Sequence, residues 1–331
     1  MAVFIIAVLA IAAAILALTF YTYLECFHSP ASRTEELYSL PEGSQYAAIK
    51  DNMFAITRVM EKTQWEPVTI KSFDGLQLNA RYSHTQDGAP VQILFHGYRS
   101  MAMRDCAGGF MLAKKMGFNV LVVDQRAHAK SGGRVITFGI LERKDCARWA
   151  EYIASRFGRD TPIILSGLSM GAATVLMASE LPIAANVVAI MADCPYSSPE
   201  AIIRKVCKDR HIPEKLAAPF ILLGARLFGG FKLLQCSAED AVKHAKVPIL
   251  LIHGEDDRFV PCEMSKGIYA ACGSYCELHT FPGAGHGLCY MTDPLRYEMI
   301  VTRFLYQIPA LRSHMSKSDY VQKELRGEMQ Y

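Results

Sequence analysis

The sequence lacks the marks of several protein classes. None of its ten cysteines forms a C-x-x-C pair, and the closest two, Cys272 and Cys276, have no second ligand pair nearby. That argues against a zinc centre and leaves buried free thiols as the plain reading. There is no basic stripe: 35 basic and 32 acidic side chains leave a net charge of +3. A nucleic-acid partner is therefore not expected. No internal repeat is present, so a solenoid is excluded. Charge is also missing from the first stretch, where Met1 to Leu24 carries no charged side chain. What remains is a chain of 331 residues, 51% hydrophobic and 20% charged, which excludes a disordered or collagenous protein. A domain of this size buries roughly 75% of its unfolded surface without staples.

The uncharged stretch predicts a transmembrane anchor over residues 1–24. Ala2 to Leu18 contains only Ala, Val, Ile, Leu and Phe, and about 20 apolar residues span a bilayer. Phe20, Tyr21, Tyr23 and Phe27 follow where an interfacial aromatic belt would lie. A cleaved signal peptide is the rival, but it normally has a basic start and a shorter apolar core. Glu25 directly before Cys26 argues against lipoprotein processing. The expected location is a single-pass membrane protein. Its orientation is unspecified, because Arg33 is surrounded by Glu25, Glu35 and Glu36.

Residues 25–66 read as a linker with amphipathic helical pieces. From Pro67 the pattern becomes strand-like. Val68–Phe73 and Leu76–Tyr82 flank a turn at Asp74-Gly75. Short apolar runs then alternate with helical periods: Val91–Phe95, Val120–Val123, Ile163–Leu165, Val187–Met191, Val247–Ile252 and Glu277–Phe281. Near-continuous apolar strands have both faces covered, so the fold class is α/β with one mostly parallel central sheet and helices on both faces. Cys146, Trp149, Ala150, Ile153 and Phe157 share a helix face that Gly158 stops. Asp293-Pro294 starts a closing helix. Residues 195–246 break the rhythm. Pro199 starts a helix, Pro213 and Pro219 interrupt, and Ser237 with Asp240 resembles a capping box. This interval is expected to be a helical cap inside a catalytic domain of residues 67–310. Residues 311–331 read as a polar tail with a frayed end.

Gly167-Leu168-Ser169-Met170-Gly171 is a G-x-S-x-G pentapeptide. It follows the strand Ile163–Leu165 and opens a helix read as Ala172–Glu180, the strand–turn–helix setting that a nucleophile elbow needs. A serine hydroxyl is a weak nucleophile until a base takes its proton. His286, in Gly283-Ala284-Gly285-His286-Gly287, follows the last strand and is the candidate base. An acid must fix its tautomer and stabilise the imidazolium. Asp257, after the preceding strand, is preferred, with Asp256 and Asp193 as rivals. The oxyanion donors are expected to be the backbone N–H of Met170 and that of Tyr98, in Phe95-His96-Gly97-Tyr98-Arg99. His96 reads as structural.

These residues resemble the α/β-hydrolase superfamily, in its serine esterase, lipase and aminopeptidase-like branch. The resemblance runs from about Pro67 to Gln307 and includes Phe95-His96-Gly97, the Asp124–Gly133 stretch, the elbow, His253–Pro261 and Gly285-His286-Gly287. It is similar to bacterial single-domain hydrolases with an N-terminal anchor, such as cinnamoyl-type esterases. It implies the α/β-hydrolase fold with a variable cap after the sixth strand. The family more often has glycine where Ala127 and Ala129 stand, a departure that touches loop packing. Serine at position 169 sets the chain apart from relatives that use aspartate or cysteine there.

The expected function is hydrolysis of carboxylic esters through an acyl-enzyme on Ser169, with no metal or organic cofactor. The expected partners are a small-molecule ester or lipid-like substrate and the membrane. A peptidase or amidase of the aminopeptidase type is the alternative, and it requires acidic groups in the cap to hold a free amine. The Leu216–Leu234 stretch is mostly apolar with Arg226 and Lys232, which favours acyl chains. A non-catalytic binding module on the same fold is the third reading.

Overall fold

A computed structural model describes residues 1–30, 37–39 and 44–328. Arg33, Glu35 and Glu36, on which orientation was to be judged, lie outside the described residues, as does the very end of the tail. The chain begins with helix α1 (Ala2–Cys26), then α2 (Lys50–Lys62) and the strands β1 (Glu66–Lys71), β2 (Gln77–Ser83) and β3 (Val91–Phe95). Next come α3 (Ala107–Lys115), β4 (Asn119–Asp124), α4 (Glu142–Phe157), β5 (Ile163–Leu168), α5 (Met170–Ala178) and β6 (Val187–Asp193). The last part holds α6 (Pro199–Asp209), α7 (Glu214–Leu227), β7 (Ile249–Gly254), α8 (Cys262–Ala271), β8 (Cys276–Phe281), α9 (Pro294–Tyr306), α10 (Pro309–Met315) and α11 (Asp319–Arg326).

The strands form one sheet in the order β1-β2-β4-β3-β5-β6-β7-β8. β1, β2 and β4 pair antiparallel, and every pair from β4 across to β8 is parallel. The continuous apolar runs explain the layers. β3, β4 and β7 are buried at every position. Successive side chains point to opposite faces. Ile93, Phe95, Leu121, Val123 and Leu251 therefore pack with Trp149, Ile153, Leu176 and Ile268 on one face. Leu94, Val120, Val122 and Ile252 pack with Phe110, Phe304 and Leu311 on the other.

Four expectations need correction. Pro219 does not interrupt a helix, because α7 starts after Pro213 and runs through it. A proline there removes a single helical bond, and the helix is held by packing of Ile221 and Ala225 into the core. The elbow helix begins at Met170 rather than Ala172. The described parts of the segment read as a linker, residues 25–66, are packed. Phe27 enters one core, and Met60 with partly buried Ile56 and Trp65 enters the other. The polar tail is likewise anchored, since Leu311, Met315 and Val321 are fully buried and hold α10 and α11 down. Residues 195–246 hold α6, α7 and a final turn at Ala238–Ala241 that packs against the elbow helix.

Candidate active site

The sheet brings the carboxyl ends of β5, β7 and β8 together, where open α/β sheets place their functional groups. Ser169 sits on the turn between β5 and α5 with φ 56° and ψ −115°. The turn is tight enough to demand its glycines. A Cβ at Gly171 would lie 2.1 Å from the Phe95 carbonyl oxygen, and one at Gly167 would lie 2.2 Å from the Gly171 carbonyl. The Ser169 N–H donates to the Asp193 carbonyl at 2.9 Å and locks the turn to β6.

His286 lies on the loop after β8. Its Nε2 is 3.0 Å from Ser169 Oγ, and its Nδ1 is 2.7 Å from Asp257 Oδ2. A carboxylate accepts from Nδ1–H, which leaves Nε2 free to accept from the serine hydroxyl. Asp257 is completed by its own loop, where the N–H groups of Phe259 and Val260 donate to Oδ1 at 2.9 and 2.8 Å. Burial pushes the Asp257 carboxyl up, but hydrogen bonds from His253 and His286 outweigh it and hold it below the usual carboxylate range. Asp256, the nearer rival, is exposed. Asp193, the other rival, is buried and lies at the end of β6. Burial raises its carboxyl to about 6, against the pull of His253 and of a hydrogen bond from Tyr297.

The expected oxyanion donors come from two places. Met170 is the first residue of α5, where N–H groups have no helical acceptor. The His96–Arg99 loop runs alongside: a Cβ at Gly97 would lie 3.5 Å from Ser169 Cβ. His96 is structural in this geometry. Its Nε2 accepts from the Gln125 N–H at 3.1 Å, so Nδ1 carries the proton and donates to the Gly97 carbonyl at 2.8 Å.

Several residues around the site carried no sequence signal. The Tyr46 hydroxyl donates to the His286 carbonyl at 2.9 Å. His253 contacts Asp257 Oδ2 at 3.3 Å, and its Nδ1 accepts from Ser265 Oγ at 2.6 Å. His128 Nε2 accepts from the Arg99 N–H at 3.1 Å and so pins the His96–Arg99 loop. The loop is pinned from its other side by α1. The Tyr98 hydroxyl donates to the Cys26 carbonyl at 2.8 Å, and the Arg99 guanidinium donates to the carbonyls of Leu24, Glu25 and His28. Leu24, Glu25 and Cys26 supply orphan carbonyls of the α1 end, where a cation is also favoured by the dipole, and His28 lies just beyond it. Spacing gives no hint of such contacts between residues far apart in sequence.

A cavity of about 710 Å³ opens on Ser169 and His286. Arg99, Arg210 and Phe259 are its exposed lining residues and mark its mouth. One grouping among the described residues has metal-ligand types. Ligand atoms of Cys194, Asp257 and His286 lie within 4.8 Å of one another. Asp257 and His286 are already bonded to each other, and burial keeps the Cys194 thiol protonated. The donor set thus suits proton handling better than an ion.

A parallel sheet of this order with a strained serine elbow and a histidine loop after the last strand defines an α/β hydrolase. The chain belongs to the Alpha/beta hydrolase family, whose profile matches residues 92–298. It is 24% identical over 255 residues to the uncharacterized protein YqkD of Bacillus subtilis, covering 77% of this chain and 82% of that one. It is 24% identical to the lysophosphatidylserine lipase ABHD12 of Danio rerio, over 76% of this chain and 62% of that protein. The human protein ABHD12B is 27% identical over 56% of this chain and 50% of its own length. The chain thus spans between half and two thirds of the vertebrate relatives. Among solved structures, the Pyrococcus furiosus esterase Pf2001 has a TM-score of 0.61 at 22% identity, covering 76% of this chain and 93% of that one. Est1E of Butyrivibrio proteoclasticus, solved with ferulic acid, has a TM-score of 0.56 at 21% identity, covering 73% and 99%. These structural likenesses concern the fold.

Proposed function

We propose that this hydrolase cleaves carboxylic esters through an acyl-enzyme on Ser169. The observation that carries the reading is the unbroken hydrogen-bond line from Ser169 Oγ to His286 Nε2 at 3.0 Å and from His286 Nδ1 to Asp257 Oδ2 at 2.7 Å. Ser169 Oγ attacks the acyl carbon while its proton passes to His286 Nε2. Asp257 stabilises the resulting imidazolium. The N–H groups of Met170 and Tyr98 hold the oxyanion. The C–O bond breaks, and the alcohol leaves with the proton from His286. Water then attacks the acyl-enzyme, gives its proton to His286, and releases the acid and the free serine.

We further propose that α1 anchors the chain in a membrane and that the substrate is a lipid-like ester. α1 is long and apolar enough to cross a bilayer by length and composition. Its last turn packs into the catalytic core through Tyr23 and Phe27, which supports a retained helix over a cleaved one. The name of the zebrafish relative points to a single-chain amphiphile. An aminopeptidase-type substrate is disfavoured at Asp105, whose carboxylate already accepts from the Gly97 N–H and the Ser100 hydroxyl.

The test is intact-mass analysis after fluorophosphonate treatment, beside Ser169→Ala. A single adduct on the parent and none on the variant is expected, followed by turnover of acyl esters over aminoacyl anilides. A folded parent that never labels would overturn the proposed nucleophile.

A further inference from the structure

Helix α7 presents four different faces, and their order around the helix is informative. Ile221 and Ala225 face the core. Phe220, Gly224 and Phe228, at helical spacing, meet α1. The Thr22 hydroxyl donates to the Phe220 carbonyl at 3.1 Å, and Phe228 packs on Phe20 and Tyr23 with ring centroids 5.0 and 5.8 Å away. A Cβ at Gly224 would lie 2.9 Å from the Thr19 carbonyl, so the two helices touch backbone to backbone. Beside that seam runs a row of exposed leucines, Leu216, Leu223 and Leu227, with fractional exposures of 69%, 36% and 56%. Beyond the leucines lie the exposed cations Lys215 and Arg226.

The seam fixes what covers those leucines. The first charged side chain along α1 is Glu25, and Phe20, Tyr21 and Leu24 are exposed apolar surface before it. The α1 residues in contact with α7, Thr19 to Tyr23, therefore sit on the apolar side of that charge, with Thr19 roughly 9 Å inward along the axis. An interfacial helix buries its apolar face about 5–10 Å into the headgroup boundary. Any bilayer that wets Phe20 and Tyr21 also wets the adjoining leucines. Lys215 and Arg226 flank them on the side away from the seam, where long cationic side chains reach up to headgroups.

We propose that α7 lies in the surface of the same bilayer that α1 spans, with Leu216, Leu223 and Leu227 in the acyl layer. This rests on the reading of α1 as a membrane span. It gives the cap a specific partner, the lipid surface. The cavity mouth also falls at headgroup level, since Arg99 at that mouth is bonded to the Leu24 and Glu25 carbonyls in the last turn of α1. A lipid ester then reaches Ser169 with its polar end first, and its tail does not have to cross water.

The experiment uses the full chain in phosphatidylcholine vesicles, with and without brominated acyl chains. Leu223→Trp should be quenched well above the background of native Trp65 and Trp149. Phe4→Trp, at an exposed site on α1, separates the two readings. Quenching of Phe4→Trp without quenching of Leu223→Trp overturns the α7 proposal and leaves the anchor standing. Absence of both overturns the two together. A second variant, Leu216→Ser with Leu223→Ser and Leu227→Ser, changes exposed positions only. Its turnover of a long-chain ester embedded in vesicles should fall on the order of tenfold, the equivalent of about one buried leucine. Turnover of a short water-soluble ester should stay unchanged. Equal loss on both esters overturns the proposal. So does pairing of two copies in detergent that the triple variant abolishes, because the leucines then serve a second chain.

Discussion

The two sides of the proposed oxyanion pocket are built by different means. The Ser169–Met170 side belongs to one strand–turn–helix unit, and its fixings are local or come from adjacent strands. Gly167 and Gly171 permit the turn, and the Ser169 N–H bonds the neighbouring β6. The Gly97–Arg99 side donates one bond to nearby Asp105 and otherwise hangs on distant groups, His128 and the carbonyl end of α1. The first side should hold its shape as long as the sheet does. The second depends on α1 staying docked.

The sharpest way to separate the sides is to remove a piece of each. Ser169→Ala should lower turnover by roughly 10⁴-fold or more, the scale of losing a nucleophile, with a melting temperature near that of the parent. Arg99→Ala leaves every reacting group in place but releases the helix carbonyls. It should lower kcat by on the order of 10²-fold with KM little changed, the cost expected for a displaced oxyanion donor or a small misplacement. A kcat equal to that of the parent would show that the second side is as self-supporting as the first.

A smaller effect concerns the acid. Asp257 and Asp193 stand close together with opposite shifts. Asp257 is held low, so its contribution to stability is present at neutral pH and lost only as pH falls through its depressed folded value. Asp193 is raised to about 6, so its favourable state is the protonated one. That contribution is complete below the ordinary carboxylate value and lost as pH rises through about 6. Asp193→Asn should therefore raise the melting temperature above pH 6 and change it little at pH 4. Asp257→Asn should instead lower turnover at every pH. If Asp193→Asn abolishes turnover and Asp257→Asn does not, the two acids exchange roles.

The smallest effect lies in the Asp124–Gly133 loop. Ala127 and Ala129 adopt φ of 61° and 44°, a region that costs an alanine roughly 1–2 kcal/mol. Ala127→Gly should stabilise the fold by about 0.5 kcal/mol once the extra freedom of glycine in the unfolded chain is subtracted. Urea denaturation would read it. Ala129→Gly should behave alike.

How much of this was legible follows the same division. The strands stood out because apolar runs bounded by turn residues are short-range patterns. So did the elbow, a contiguous pentapeptide set between a strand and a helix. The chain order Ser169, Asp257, His286 could be named, though the distances between them could not. What stayed hidden depends on partners without a period. The clamp of Arg99 on Leu24, Glu25 and His28 joins segments more than seventy positions apart. Pro219 looks like a break, and only core packing shows that the helix continues. The tail looked loose because its buried contacts, Leu311, Met315 and Val321, are sparse among polar neighbours.

The docking of α1 has a mechanical consequence. Many anchored enzymes work at the end of a pliable stalk and sweep a volume above their membrane. Here the helix runs into the catalytic core by Phe27, and His28 pairs directly with Val135. On the proposed reading of α1 as the anchor, no slack separates it from the site. Such an enzyme would have no working radius, serve only the leaflet it stands on, and lose its shape rather than gain freedom if a protease cut it loose.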